Sequence, residues 1–473
     1  MKIDPNSAVA YALLTCALIV TSCATDVETD INVDPLGSAI GFTPSVGHTT
    51  RATETEIGNL GNFAVVARGM HPDGVLYDSF LIGNEHAGEV AKREGTSNTW
   101  KIDRNVYWPS TLEQVMFFAY TTLKSGETGE PLYDDSTFGF DNKNPHIDGY
   151  APKKADLTEQ SDDGQKTWAD GKEQADLLVA YTKQAYSTNP STVSLNFKHA
   201  LTQISITAGQ NGKTDNDNRV VKIKGAWIVN VAKSGKLSGD LHYNSSDKTT
   251  NDKLSWTGTG KAAYGSFYNQ ILSLDKNGKA DLLRPEVSGG PLGSLMLVPE
   301  DLTAWNKTQD GNGAYILLLC RVELKHPGTT HTTTGDGSVD MSDIYTDGVN
   351  HYHQLFPVNT EKYNAAQYGF VCVPLSSTWN TDGIGKHYTY NLDICGATTG
   401  AGLYPPKLSE DFVNGLIPGG SKVGGEALEV VTARPGGKEV GDPVLDEPIK
   451  FSVSVDDWNT PKPDEWTPGN GIF

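Results

Sequence analysis

Two imidazoles stand two residues apart in the run HYH, His351 and His353, on the same side of any extended strand, where one metal ion can bridge them. A tetrahedral site needs further ligands and no third is evident beside them, so the pair reads as exposed histidines and no metal is expected. The runs GTGKA (Gly258–Ala262) and GIGKH (Gly383–His387) have the composition of phosphate loops without their spacing, and both are expected to be hairpin turns. DKNGKAD (Asp275–Asp281) and DDSTFGFDNKN (Asp134–Asn144) offer several oxygens but not the full alternating pattern of a calcium loop, and read as solvated turns. No nucleophile elbow, HExxH, P-loop or CxxC occurs. Among 58 acidic residues no carboxylate pair can be singled out for glycoside hydrolysis. The chain is therefore expected to be no enzyme and to hold no cofactor. Trp100, Trp108, Trp305, Trp379, Trp458 and Trp466 lie near turns or strand ends and can stack on sugars, although core or rim packing is the commoner fate of such a side chain.

The N-terminus offers a different chemistry. Ala8–Val20 (AVAYALLTCALIV) is an apolar run of signal-peptide length, too short to span a membrane comfortably. It ends in VTSC, where an aliphatic residue and two small ones precede Cys23, as in the lipobox of bacterial lipoproteins. Cleavage before Cys23 and acylation of its thiol would anchor the chain, each buried methylene adding about 0.8 kcal/mol. Downstream, Arg51 sits among Thr49, Thr50, Ala52 and Thr53, small residues that suit a protease subsite in an extended loop. On these residues alone Arg51 reads as an ordinary surface arginine. Of five cysteines, three remain after residue 23: Cys320, Cys372 and Cys395, each in an apolar strand-like run and expected to act as a small hydrophobe, with one disulfide the most that can form.

These residues are carried by a chain of 473 residues, too long for one ordinary core. A formal charge of −20 excludes a nucleic-acid role, which needs clustered Lys and Arg, and favours solubility. Short alternating or continuous apolar runs are separated by Gly, Asn, Asp and Pro clusters, and no sustained helical spacing appears beyond residue 70. That is the pattern of an all-β sandwich or barrel. Strands are expected at Asn62–Ala67, Val106–Trp108, Val115–Tyr120, Asp176–Tyr181, Thr192–Phe197, Gln203–Ala208, Val220–Val231, Ile271–Leu274, Ser294–Val298, Ala314–Leu324, Gly369–Val373, Tyr388–Ile394 and Ile449–Val455. The stretch GQNGKTDNDNR (Gly209–Arg219) has no large apolar side chain and marks the expected domain junction.

Several segments in order resemble the fimbrillin family, the type V pilins of Bacteroidetes with their tip and anchor relatives. They are the lipobox at Cys23, TTRATE around Arg51 with the following NLGNFAVVARG, VYWPSTLEQVMFFAYTTL, QADLLVAYTKQ, VSLNFKHALTQISITA, WNTDGIGKHYTYNLDI and FSVSVDDWN. Leu403–Val444 matches nothing in that pattern. The resemblance implies two β-sandwich domains of transthyretin-like, Greek-key type with long surface loops. It implies a signal peptide over 1–22, a removable strand within 23–51, an N-terminal domain over 52–212 and a C-terminal domain over 219–473. It also implies export as an outer-membrane lipoprotein acylated on Cys23, then cutting by an Arg-specific or trypsin-like protease after Arg51. Ala52 then becomes the N-terminus, and a strand from another pilin subunit fills the vacated groove. The expected role is a stalk, tip or accessory subunit of an adhesive fimbrium that can meet a receptor or glycan. The alternative is a surface lipoprotein that stays on its lipid, does not polymerise and binds glycans. At the C-terminus Ile449, Phe451, Val453 and Val455 share one face of a candidate donor strand. Their burial would contribute roughly 6–12 kcal/mol gross against an association cost of about 4–15 kcal/mol. The same strand can equally belong to its own domain. The tail beyond it carries three prolines and is a poor donor, which favours a tip or accessory place.

Overall fold

The computed structural model describes residues 39–46, 57–71, 76–109, 112, 114–123, 125, 127, 129, 131–132, 137–141, 144–152, 174–185, 192–212, 218–240, 253–274, 279–283, 293–308, 313–329, 344–358, 363–445 and 447–457. The expectation of an all-β protein holds. In chain order the strands are β1 (Gly41–Val46), β2 (Phe63–Met70), β3 (Leu76–Ile82), β4 (Glu89–Arg93), β5 (Trp100–Ile102), β6 (Gln114–Thr121), β7 (Thr137–Asp141), β8 (Asn144–Tyr150), β9 (Leu178–Ala185), β10 (Thr192–His199) and β11 (Thr202–Gly209). Then follow β12 (Arg219–Asp240), β13 (Lys253–Leu274), β14 (Lys279–Asp281), β15 (Leu295–Leu297), β16 (Asp301–Leu302), β17 (Tyr315–Pro327), β18 (Ile344–Thr346), β19 (Asn350–Phe356), β20 (Gln367–Pro374), β21 (Ser377–Thr378) and β22 (Lys386–Asp393). A short helix, α1 (Glu410–Leu416), and the strands β23 (Lys422–Val423), β24 (Glu426–Ala427) and β25 (Glu429–Val431) precede the last strand, β26 (Lys450–Asp457).

The first sheet closes on itself. Its order β2-β4-β5-β1-β10-β9-β6 returns to β2 through the β2–β6 pairing, and β3 attaches outside the ring to β2. Closure leaves one enclosed core, filled by Phe42, Phe63, Trp100, Trp108, Phe117 and Phe197. The run QVMFFAYT of β6 is apolar on both faces because both are covered. Val115, Phe117 and Ala119 point into the ring, while Phe118 and Tyr120 join a second cluster with Ile147, Tyr150, Leu237, Trp256 and Met296. That cluster packs the ring against the rest of the chain. Polar bonds at the same junction run from Trp256 Nε1 to the Ala200 carbonyl (2.7 Å) and from Met296 N to Gln174 Oε1 (2.6 Å).

The second half is a sandwich. A large sheet, β18-β19-β17-β12-β8-β7 with β13 on β12, β20 on β17 and β25 on β20, faces a smaller sheet of β14-β11-β22-β26 with β15 on β11. Between them lie Ile204 and Ile206 of β11, Val221 and Ile228 of β12, Ile316 and Leu318 of β17, Tyr390 and Leu392 of β22, and Ile449. The outer face of the large sheet, with Trp227, Leu317, Leu319, Tyr368 and Phe370, is covered by α1 and the segment around it through Leu408, Phe412, Leu416, Val423 and Val430. The unmatched run Leu403–Val444 thus has a structural task as an apolar cover. Its helix begins at Ser409, whose side chain caps the Phe412 amide (3.2 Å).

Sheet membership changes at Ala200–Leu201, ahead of the Gly209–Arg219 stretch. β11 pairs in parallel with β22, and β8 pairs with β12, so strands from the first half of the sequence complete both sheets of the second. The run GTGKA is not a turn. It lies inside β13, with Gly258 opposite Gly235 and Ala262 opposite Val231, beside a bulge at Asn230 (φ 64°). A strand so poor in apolar residues is held by its partner's ladder, which single-sequence periodicity cannot see. GIGKH is no hairpin turn either: it leads into β22, which pairs with β11 and β26 and not with the preceding β21, and Gly383 (φ 91°) and Gly385 (φ 68°) shape that approach. Val106–Trp108 contributes an isolated bridge, Ala39 to Tyr107, rather than a strand.

Candidate assembly site

The segment upstream of Arg51 is where sequence and structure meet. In β1 the alternation of GFTPSV places Phe42 and Val46 inward with Ile40 just before them, while Thr43 and Ser45 face solvent. Phe42 is fully buried and meets Phe63 and Phe117 edge-on, with ring centroids 6.0 and 6.1 Å away. Phe63 in turn contacts Phe197 of β10 at 5.1 Å and Trp100 of β5 at 6.3 Å. Trp100 is pinned by its Nε1 donating to the Gly61 carbonyl (3.1 Å).

The lateral contacts of β1 are unequal. On one side all six residues pair in parallel with β10, from Gly41 opposite Thr192 to Val46 opposite Phe197. On the other side only Phe42 pairs with Trp100 of β5, supplemented by Ile40 N donating to the Val106 carbonyl (2.7 Å). Pro44 has no amide to donate, which weakens the strand's grip further. β10 depends on β1 in return, because its pairing with β9 covers only Lys198 and His199. That end is fixed by a fully buried pair, His199 Nδ1 at 2.9 Å from the Asp176 carboxylate. The rest of β10 has β1 as its only ladder among the described residues. Taking β1 away would leave a slot between β5 and β10, floored by Phe63, Phe117, Leu195 and Phe197.

The other candidate residues divide. Cys23, Arg51 and Ala52 lie outside the described residues, as do Trp458 and Trp466. Ile449, Phe451, Val453 and Val455 lie at β26, which pairs antiparallel with β22 along its whole length, from Lys450 opposite Asp393 to Asp457 opposite Lys386. Here the strand belongs to its own sheet, as its edge member. Ile449 is buried and Phe451 packs on Tyr390 (5.9 Å), but Val453 and Val455 are 44% and 51% exposed. Trp100, Trp108, Trp305 and Trp379 are buried, so none offers a free face to a sugar. Core packing, the commoner fate of such a side chain, is what these four show.

His351 and His353 gain a neighbour that the sequence did not reveal. His326 of β17 lies opposite His351, and the three rings have centroids 5.1–5.4 Å apart. Only the strand register brings His326 to the other two. Among the described residues, however, no group of three His, Cys, Asp or Glu side chains is placed to hold a metal ion. Cys320, Cys372 and Cys395 are buried and form no disulfide, and burial pushes the Cys320 and Cys372 thiols far above their usual range.

The closed first sheet of this all-β chain is thus completed by β1, a strand upstream of Arg51. Residues 50–272 match the model of the fimbrillin-like family, and that region of the chain is fimbrillin-like, as the motifs led one to expect. No curated protein matches the chain. Similar solved structures include a fimbrial protein from Bacteroides vulgatus ATCC 8482, with 15% identity, a TM-score of 0.39, and coverage of 74% of this chain and 94% of that one. A candidate cell adhesion protein from Parabacteroides distasonis ATCC 8503 has 11% identity, a TM-score of 0.37, and coverage of 90% and 98%.

Proposed function

We propose that this chain is a structural subunit of an adhesive cell-surface fimbrium, with no chemistry of its own. It is exported to the outer membrane as a lipoprotein acylated on Cys23 and is cut after Arg51 by an Arg-specific protease. A strand from another pilin subunit then takes the place of β1. The observation that carries this reading is the position of β1. It lies upstream of Arg51, in the part of the chain that the cut would release, yet it is a core strand whose loss strips the ladder from most of β10. A strand with that placement is a ready template for β-augmentation by another chain. The fimbrillin-like match over residues 50–272 supports the same role and begins beside the proposed cut. The two domains run over 52–212 and 219–473, with β7, β8 and β11 of the first completing sheets of the second.

β26 is already paired in its own sheet, so acting as a donor requires it to leave β22, whereas accepting a strand requires nothing of it. A tip or accessory place therefore fits better than a stalk. The test is the N-terminal sequence of the mature protein from the cell surface. Ala52 supports release of β1; an acylated Cys23 would show that the strand stays and that the chain does not polymerise by this route.

A further inference from the structure

The cover segment that no family motif explains encloses a cavity of about 550 Å³ against the large sheet. Its floor is aromatic: Phe356 of β19, Phe370 of β20 and Tyr404, with the Phe356 and Tyr404 rings 6.2 Å apart and edge-on. Its walls carry three cations, Lys407, Arg434 and Lys438, and no lining residue is acidic. In a chain of formal charge −20 that local sign is the reverse of the average. Of the acids next in sequence, Asp442 is turned to main chain, its Oδ2 accepting from Glu439 N (2.8 Å). Lys438 Nζ donates to the Pro443 carbonyl (3.2 Å), whereas Lys407 and Arg434 form no ion pair with another described residue. Arg434 lies close enough to the Tyr404 hydroxyl that its charge partly offsets the rise which burial imposes there.

The walls are held in place. Tyr404 N donates to the Asp442 carbonyl (3.0 Å) and Gly441 N to the Tyr404 carbonyl (2.8 Å), so the two sides of the cavity are laced together by main chain. Leu403 pairs with Cys372 in both directions, at 2.8 and 3.0 Å, which ties the same segment to β20. A pre-formed, partly apolar cavity with a few convergent polar groups has the make-up of a small-molecule site, and its volume falls in the range of one. The guanidinium is a planar fork matched to a carboxylate, and the aromatic floor suits the flat apolar face of a ring.

We propose that this cavity binds an acidic sugar residue, a uronate or another carboxylated ring of a surface or host polysaccharide. Its carboxylate is held by Arg434 and Lys407 and its ring rests over Phe356, Phe370 and Tyr404. The site lies in the second half of the chain, away from β1, so it does not rest on the assembly reading and survives if that reading fails.

The test measures binding of D-glucuronate to the full chain, beside D-glucose as the neutral ring and acetate as the anion without a ring. Glucuronate should bind at least about tenfold more tightly than either, because both halves of the site must be filled. Binding should weaken as salt rises. Arg434→Ala and Lys407→Ala, both at exposed side chains, should each lose about tenfold or more in affinity with an unchanged Tm, and Arg434→Glu should abolish binding. Equal binding of glucose would overturn the role of the cations, and equal binding of acetate would reduce the site to an adventitious anion trap and overturn the sugar assignment. No binding of glucuronate at any attainable concentration, or full binding in Arg434→Glu, would overturn the proposal outright.

Discussion

A chain beginning at Ala52 should be markedly less stable in its first sheet than one that retains β1, and a peptide should repair it. β1 and its lead-in bury Ile40, Phe42 and Val46, which at about 1.5–3 kcal/mol each contribute roughly 4.5–9 kcal/mol gross. That is comparable with the whole stability of a typical domain, about 5–15 kcal/mol, so the empty slot is poorly tolerated. A synthetic peptide spanning Ser38–Gly47 should raise the Tm of the truncated chain in a concentration-dependent way, because it binds only the folded form. The same peptide carrying Phe42→Ala should bind about a hundredfold to several-thousandfold more weakly, the equivalent of 3–5 kcal/mol for a fully buried phenylalanine lost from a packed core. Differential scanning calorimetry reads the Tm, and a fluorescence-labelled peptide reads the affinity. If the truncated chain melts with the intact one, or if the Phe42→Ala peptide rescues equally well, then β1 does not fill a groove that another strand could use.

Four further outcomes test separate parts of the structure. Arg51→Ala should leave the fold intact but block processing, read as a mature N-terminus other than Ala52 and loss of SDS-resistant polymers; unchanged polymers would remove the cut from the mechanism. Ile449→Ala should cost about 2–5 kcal/mol in urea unfolding and Val455→Ala within about 0.5 kcal/mol, since one is buried and the other half-exposed. A Val455→Ala chain that is stable yet cannot polymerise would show β26 leaving β22 during assembly. Lys224 is 1% exposed, donates to the Asn269 carbonyl (2.8 Å), and has its pKa pulled down to about 8 by desolvation, below the 10.5 it has when exposed. The unfolded chain therefore binds more protons between those values and stability should rise with pH across that window. Lys224→Met should stabilise the chain by roughly 1–3 kcal/mol near neutral pH and flatten that rise, and an unaltered pH profile would refute the assignment. Ellman's reagent should find no reactive thiol in the folded chain from Ala52 and three in urea, as Cys320, Cys372 and Cys395 are buried and form no disulfide.

How legible was all this in the sequence? Strands whose apolar pattern arises from their own burial were. VSLNFKHA alternates because Val193, Leu195 and Phe197 face the ring core, and QVMFFAYT is apolar throughout because both its faces are covered. Strands held by a neighbour's ladder were not. The polar GTGKA run sits in β13 because β12 pairs with it, and the short β4 and β5 exist because they bridge β2 to β1. The candidate site divides along the same line. Local pattern picks out the small residues around Arg51. Dependence of β10 on β1, the approach of His326 to His351, and the meeting of Phe356 with Arg434 across 78 residues of sequence are set by pairings between distant segments. Loop closure of that kind leaves no periodic mark. β1 reads from sequence because its alternation arises from its own burial. The cavity does not, because its parts are chosen for the space they enclose together.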